Sequence, residues 1–224
     1  MSKIQTNQLQ HTPNGAAVYT LPTADGTSGQ VIKTNGSGTL SFGAAGNSSS
    51  IQVLEQFFSP CDGSVIATSA GNLTLPNVTA YQQMTSSMAT LTGSEISYAP
   101  PTGTTQVIYT FHFVQGSDGD NDAIFSGQLQ IDGSTITSSR FTQRGANAHW
   151  DTIHYFQFGI NIGGTTSTDT GRLASWTSAK TLKMEGSEHS GSYETQAHRV
   201  QNFGGNSVMI FRRPSIGITA IGSV

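Results

Sequence analysis

"QVIYTFHFVQ", residues 106–115, decides the fold. Val107, Tyr109, Phe111 and Phe113 alternate with Ile108, Thr110, His112 and Val114, and side chains two apart share one face of a strand. The first set is wholly apolar and the second half apolar. The segment therefore reads as a strand covered on both sides, by a core on one and by other protein on the other.

The same grammar extends outward. "FSGQLQID" (125–132) turns Phe125, Leu129 and Ile131 inward and meets a hairpin signal at Asp132-Gly133. "HWDTIHYFQFGINIGG" (149–164) puts Trp150, Thr152, His154, Phe156, Phe158, Ile160 and Ile162 on one face. Upstream, "LEQFFSP" and "GSVIATS" flank a "PCDG" turn, followed by "NLTLPNV"; downstream come "GRLASWTS", "KTLKMEGSEH", "VMIFRRP" and "SIGITAIGS". At 81–93, Tyr81, Met84, Met88 and Leu91 fall at helical spacing and fit one short helix or turn, while the frequent Thr and Ser fit a strand instead. Regular short strands separated by turn residues predict an all-β fold, a jelly-roll sandwich of about eight strands over residues 51–224.

Residues 1–50 differ. They are polar and Gly-rich and end in "GAAGNSSS", which places a linker at 43–50 and divides the chain into a 1–50 arm and a 51–224 domain. Within the arm, Gln30–Thr34 and Thr39–Phe42 flank "NGSG" as a hairpin. A lone two-stranded hairpin is marginal in water. The arm is therefore expected to bury Leu21, Val31, Ile32, Leu40 and Phe42 against other chains, as an assembly and anchoring element.

Composition bounds function. Charged residues make up 10% of the 224, against roughly a quarter in ordinary domains, and the formal net charge is −3. Electrostatic capture of nucleic acid is disfavoured. No stretch approaches the ~20 apolar residues of a membrane helix, and "MSKIQTNQLQ" has no secretory h-region. Cys61 is the sole cysteine, so neither an intrachain disulfide nor a cysteine metal site can form, and no basic neighbour in sequence would activate it.

Chemistry-bearing patterns are sparse. Asp118, Asp120 and Asp122 in "DGDNDA" alternate and can offer oxygens to a hard cation. The EF-hand pattern fails, because its Gly and Glu positions hold Ala123 and Leu129. A solvated acidic loop is the preferred reading. His149 and His154 lie on opposite strand faces, which makes His154 a hydrogen-bonded core or interface residue together with Tyr109, Phe111, Phe113, Phe156 and Phe158. "EGSEHSGSYETQAHR" holds His189 and His198 in the most charged region, read as an ordinary solvated face. Trp150, Trp176 and Tyr193 are candidates for a carbohydrate platform, against a core role. No Gly-x-Ser-x-Gly, phosphate loop or carboxylate pair is signalled, so no enzyme and no cofactor are expected.

"TLPTADGTSGQVIKTNGSGTLSFGAAG" (20–46) resembles a segment near the N-terminus of tail-fibre and other virion structural proteins of aquatic bacteriophages. Leu21, Pro22, Asp25, Gly26, Gly29, Gln30, Val31, Thr34, Asn35, Gly36, Gly38, Leu40 and Phe42 carry the likeness, over about a tenth of the chain. "SEISYAPPTGTTQVIYTFHFV", "LQIDGSTITSSRFT" and "KTLKMEGSEHSGSYETQAHRV" are similar to C-terminal β-domains of aquatic phage and algal-virus structural proteins. The resemblance implies a trimeric jelly roll of the tumour-necrosis-factor type. It also implies a virion component assembled in the host cytoplasm beside other virion proteins, presenting its sandwich to a host-surface glycan. A capsid-decorating or cement protein is the alternative; a glycan-hydrolysing tailspike is a third class.

Overall fold

The structure is a computed structural model, and it describes residues 8–10, 18–45, 51–117, 122–146, 151–200, 203 and 209–223. The chain separates into two compact units, Met1–Ser50 and Ile51–Val224.

The larger unit has eight principal strands: β1 (Gln52–Pro60), β2 (Ile96–Tyr98), β3 (Thr104–Ser117), β4 (Ala123–Ile131), β5 (Ser134–Ala146), β6 (Thr152–Asn161), β7 (Lys180–Glu188) and β8 (Ser215–Gly222). They form two antiparallel sheets, ordered β1-β8-β3-β6 and β2-β7-β4-β5. Except within the β4–β5 hairpin, consecutive strands pass from one sheet to the other or cross over within it. That order is a jelly roll, two Greek keys wrapped into a sandwich. Beyond the end of β8, Thr195–Ala197 continues the pairing along β3, and Gln82–Gln83 pairs with it in turn.

Alternation sets the core. Val107, Tyr109, Phe111 and Phe113 of β3 are buried, as are Ile160 of β6 and Ile216 and Ile218 of β8. Phe125, Leu129 and Ile131 of β4, with Leu182 and Met184 of β7, face them. The β4–β5 turn falls at Asp132 and Gly133, whose φ values of 48° and 78° match the two left-handed positions of a type I′ turn. Asp132 holds the turn in place by accepting hydrogen bonds from Thr181 N and Lys180 Nζ.

At 81–93 the strand reading holds over the helical one, and one expected strand is absent. Residues 81–93 form no helix. Met84 and Leu91 are buried, but Tyr81 and Met88 are exposed. Met84 N bonds to Thr195 O and Leu91 N to Met184 O, so each sheet captures one end of the segment as extended chain. Tertiary pairing thereby overrides helical spacing. "GRLASWTS" is not a strand; it runs irregularly, joined just past the end of β6 by a bridge between Leu173 and Ile162.

Candidate assembly and binding surfaces

In the smaller unit, Gln30–Thr34 pairs with Leu40–Ala44, and Gln8–Gln10 with Val18–Thr20. Several of the residues that carry the sequence likeness have specific work. Gln30 Oε1 accepts from Thr27 N (2.9 Å), and Asp25 Oδ1 from Gly26 N (2.9 Å). A Cβ at Gly26 would lie 2.7 Å from the Phe42 ring, so a larger residue there would have to displace that ring. Asn35 Oδ1 accepts from Ser37 N and Thr39 N and shapes the turn. A Cβ at Gly38 would lie 2.6 Å from Val18 O, and Thr20 N donates to Gly38 O.

The segment is thus a hairpin with its own loop folded beneath Phe42, more than the bare two-stranded element that the sequence predicts. Leu21, Leu40 and Phe42 are half-buried. Val31 and Ile32 are not: 43% and 56% of their surface is exposed, and as neighbours on a strand they point to opposite faces.

In the larger unit, the aromatic residues of β3 and β6 meet histidines inside the sandwich. His154 stacks flat on Phe113, with centroids 4.5 Å apart and planes 4° apart. It shares a 2.7 Å hydrogen bond with Gln115 Oε1, in which the imidazole donates through Nε2. Burial lowers its pKa from 6.5 to about 4. His154 is a core histidine; Phe156 and Phe158 are half-buried beside it.

The charged segment around His198 corrects the sequence reading. Glu188, Thr195, Gln196, His198 and Arg199 are buried, not solvated. His198 takes a left-handed φ of 68°, and its Nε2 bonds to Thr92 O at 2.8 Å. Burial lowers this pKa to about 4 as well. Phe113 lies against both imidazoles, so β3 carries a polar-aromatic cluster at one end of its inner face. A run of polar residues gave no sign of burial, because these side chains are stabilised inside by hydrogen bonds rather than by apolarity.

Of the carbohydrate candidates, Trp176 and Tyr193 do not converge. Trp176 is buried and donates Nε1–H to Tyr98 O at 3.1 Å, which fixes it in the core and removes it from any surface platform. Tyr193 is half-buried, edge-on to His189. Trp150 lies outside the described residues, as do His149, Asp118 and Asp120. Asp122 is engaged by the Arg144 guanidinium. Among the described residues no group of three metal-ligating side chains occurs.

Cys61 is buried, its thiol donates to Gly93 O (3.3 Å), and burial pushes it up to about 12 despite the approach of Arg213. That basic neighbour is distant in sequence, yet desolvation outweighs it and the thiol stays inert. Among the described residues no helix is long and apolar enough to cross a membrane.

No protein-family model matches the chain, and no curated protein matches it. Among solved structures it is similar to that of infectious bursal disease virus, Gx strain, at 12% identity and a TM-score of 0.32, over 83% of this chain and 39% of that one. It is similar also to the infectious bursal disease virus VP2 subviral particle, at 11% identity and a TM-score of 0.30, over 83% and 44%. The chain spans about two fifths of the length of these structures. The jelly-roll assignment rests on this chain's own strand order.

Proposed function

We propose that the protein is a non-enzymatic virion structural protein, a trimeric appendage of tail-fibre or spike type. Its 1–50 unit docks on the particle and its jelly roll projects outward to contact a host-surface glycan. The observation that carries this reading is the small unit. Residues 18–45 fold around the Asp25–Gly26, Gln30 and Asn35 contacts, yet leave Val31 and Ile32 exposed on opposite faces. An ordered hairpin that leaves one apolar side chain uncovered on each face is suited to being sandwiched between neighbouring chains.

The trimer would close along β5 and β6. Among the described residues each has a single long ladder partner, and Phe141 stacks on Phe156 between these two edges (5.9 Å) with both rings only half-buried. Cryo-electron microscopy of intact particles tests the assignment. Few copies around the tail, each anchored by residues 18–45, are expected; copies following the capsid lattice would make it a decoration protein instead. Light scattering at micromolar concentration should give a trimer, and a monomer would remove that part of the proposal.

A further inference from the structure

The outer face of the β1-β8-β3-β6 sheet mixes polar side chains with Val53, Ile108 and Ile221. Gln56 bonds to Thr219 across it, and Gln106 to Asn161. One end differs. His112 on β3 lies between Tyr155 on β6 and Ser215 on β8, and Phe58 lies opposite Gly217, next along β8 but one from Ser215. A Cβ at Gly217 would sit 2.7 Å from Phe58 Cδ2. Glycine there lets the Phe58 ring lie across β8 and reach His112.

Three rings result in a row: Phe58–His112 at 4.8 Å and His112–Tyr155 at 4.6 Å. Phe58 is 52% exposed and Tyr155 65%, with Ile153 exposed beside them. They border a recess of about 160 Å3 completed by Ser215, Arg212 and Arg213. Arg213 is fixed, donating to Cys61 O and Asn77 Oδ1. Arg212 is exposed, and among the described residues no ion pair engages it. The acid nearest in sequence to Cys61, Asp62, turns its carboxylate to Ser64 N.

We propose that this recess is a subsite for a single pyranose ring that carries a carboxylate, a uronic or sialic acid at a glycan terminus. The inference rests on the glycan-contacting role proposed above and names its site. The C–H face of a pyranose bears partial positive charge and packs on the negative faces of aromatic rings. Arg212 supplies the planar donor pair that a carboxylate accepts. The recess is smaller than the ~300–1,000 Å3 of drug-sized pockets, which limits it to one ring.

The test titrates the full chain with methyl glucuronide, sialyllactose and, as the neutral control, methyl glucoside, followed by calorimetry and by NMR shifts. Saturable binding of either acidic probe, with at least a severalfold preference over the neutral one, is expected; which acid binds identifies its source. Tyr155→Ala and Phe58→Ala, both at exposed positions, should weaken binding roughly tenfold with melting unchanged. Arg212→Gln should abolish the preference for acid. No acidic binding, or variants that bind like the parent, overturns the inference. Particles that incorporate the chain through residues 18–45 while it binds no acidic sugar overturn this site alone; sugar binding by a chain absent from particles overturns the virion role instead.

Discussion

Two hairpins in this protein are written in the same local grammar and end differently. The β4–β5 hairpin turns at Asp132-Gly133, and the 30–44 hairpin at Asn35–Gly38; both use glycines at positive φ. In the first, Phe125, Leu129 and Ile131 are buried beneath the opposite sheet. In the second, Val31 and Ile32 stay exposed. Turn chemistry and alternation define a hairpin, but only a facing layer gives its apolar side chains a core. The sandwich is finished within one chain; the small unit has apolar surface left over.

The sharpest way to break this contrast is at the finished hairpin. Phe125 is fully buried and packs edge-on to Phe113 and His154. Phe125→Ala should cost about 3–5 kcal/mol, read as a lowered denaturation midpoint. An unchanged midpoint would mean that the two sheets do not pack through this ring.

Acid probes the same core. An unfolded histidine takes up its proton near the ordinary 6.5, whereas folded His154 and His198 stay neutral down to about 4. Stability is therefore level above pH 6.5 and falls as pH drops from 6.5 towards 4, by about 3 kcal/mol for each ring at most. His154→Gln removes one titrating ring, keeps a hydrogen-bonding side chain beside Gln115, and should roughly halve the acid slope of the unfolding free energy. A slope that survives in the His154, His198 double variant would assign acid sensitivity elsewhere.

Paired turn substitutions compare the hairpins directly. Gly133 and Gly36 have φ of 78° and 79°, and nothing lies within 4 Å of a Cβ at either. Alanine at each meets only backbone strain, about 1 kcal/mol. Gly133→Ala should lower the melting temperature of the sandwich by about 2–4 °C. Gly36→Ala should leave that transition in place, since the strain falls in the other unit. Equal shifts would mean that the two units melt as one.

How far the sequence alone foretold this varies by element. The inward set on β3, the Asp132-Gly133 turn and the 30–34/40–44 pairing were legible, because period-two apolarity and glycine turns are local signals. The pairing of β1 with β8 and of β3 with both β6 and β8 was not, because non-local register leaves no trace in a single strand. At 81–93 helical spacing and strand composition pointed apart, since neither sheet edge that captures the segment is visible locally. The buried Thr195–Arg199 segment was hidden because its residues are polar. Phe58, Tyr155 and Arg212 lie on three segments far apart in sequence, and only β-pairing and the glycine at 217 bring them to one recess.

The smallest effect on folding separates the hairpins most cleanly. Ile32→Ser changes an exposed side chain, so the melting of either unit should move by no more than about 0.5 kcal/mol. If the small unit's uncovered faces are covered in the particle, burial of Ile32 there contributes on the order of 1.5–3 kcal/mol per copy, and serine forfeits it. Several equivalent copies multiply that loss. Ile32→Ser is therefore expected to yield a normally folded protein that fails to join particles in a reconstitution assay. Val31→Ser, on the opposite face, should do the same if both faces are covered. Should Ile32→Ser assemble normally and Val31→Ser not, one face alone is the docking surface. If both assemble normally, the exposed apolar pair is not how this chain is held.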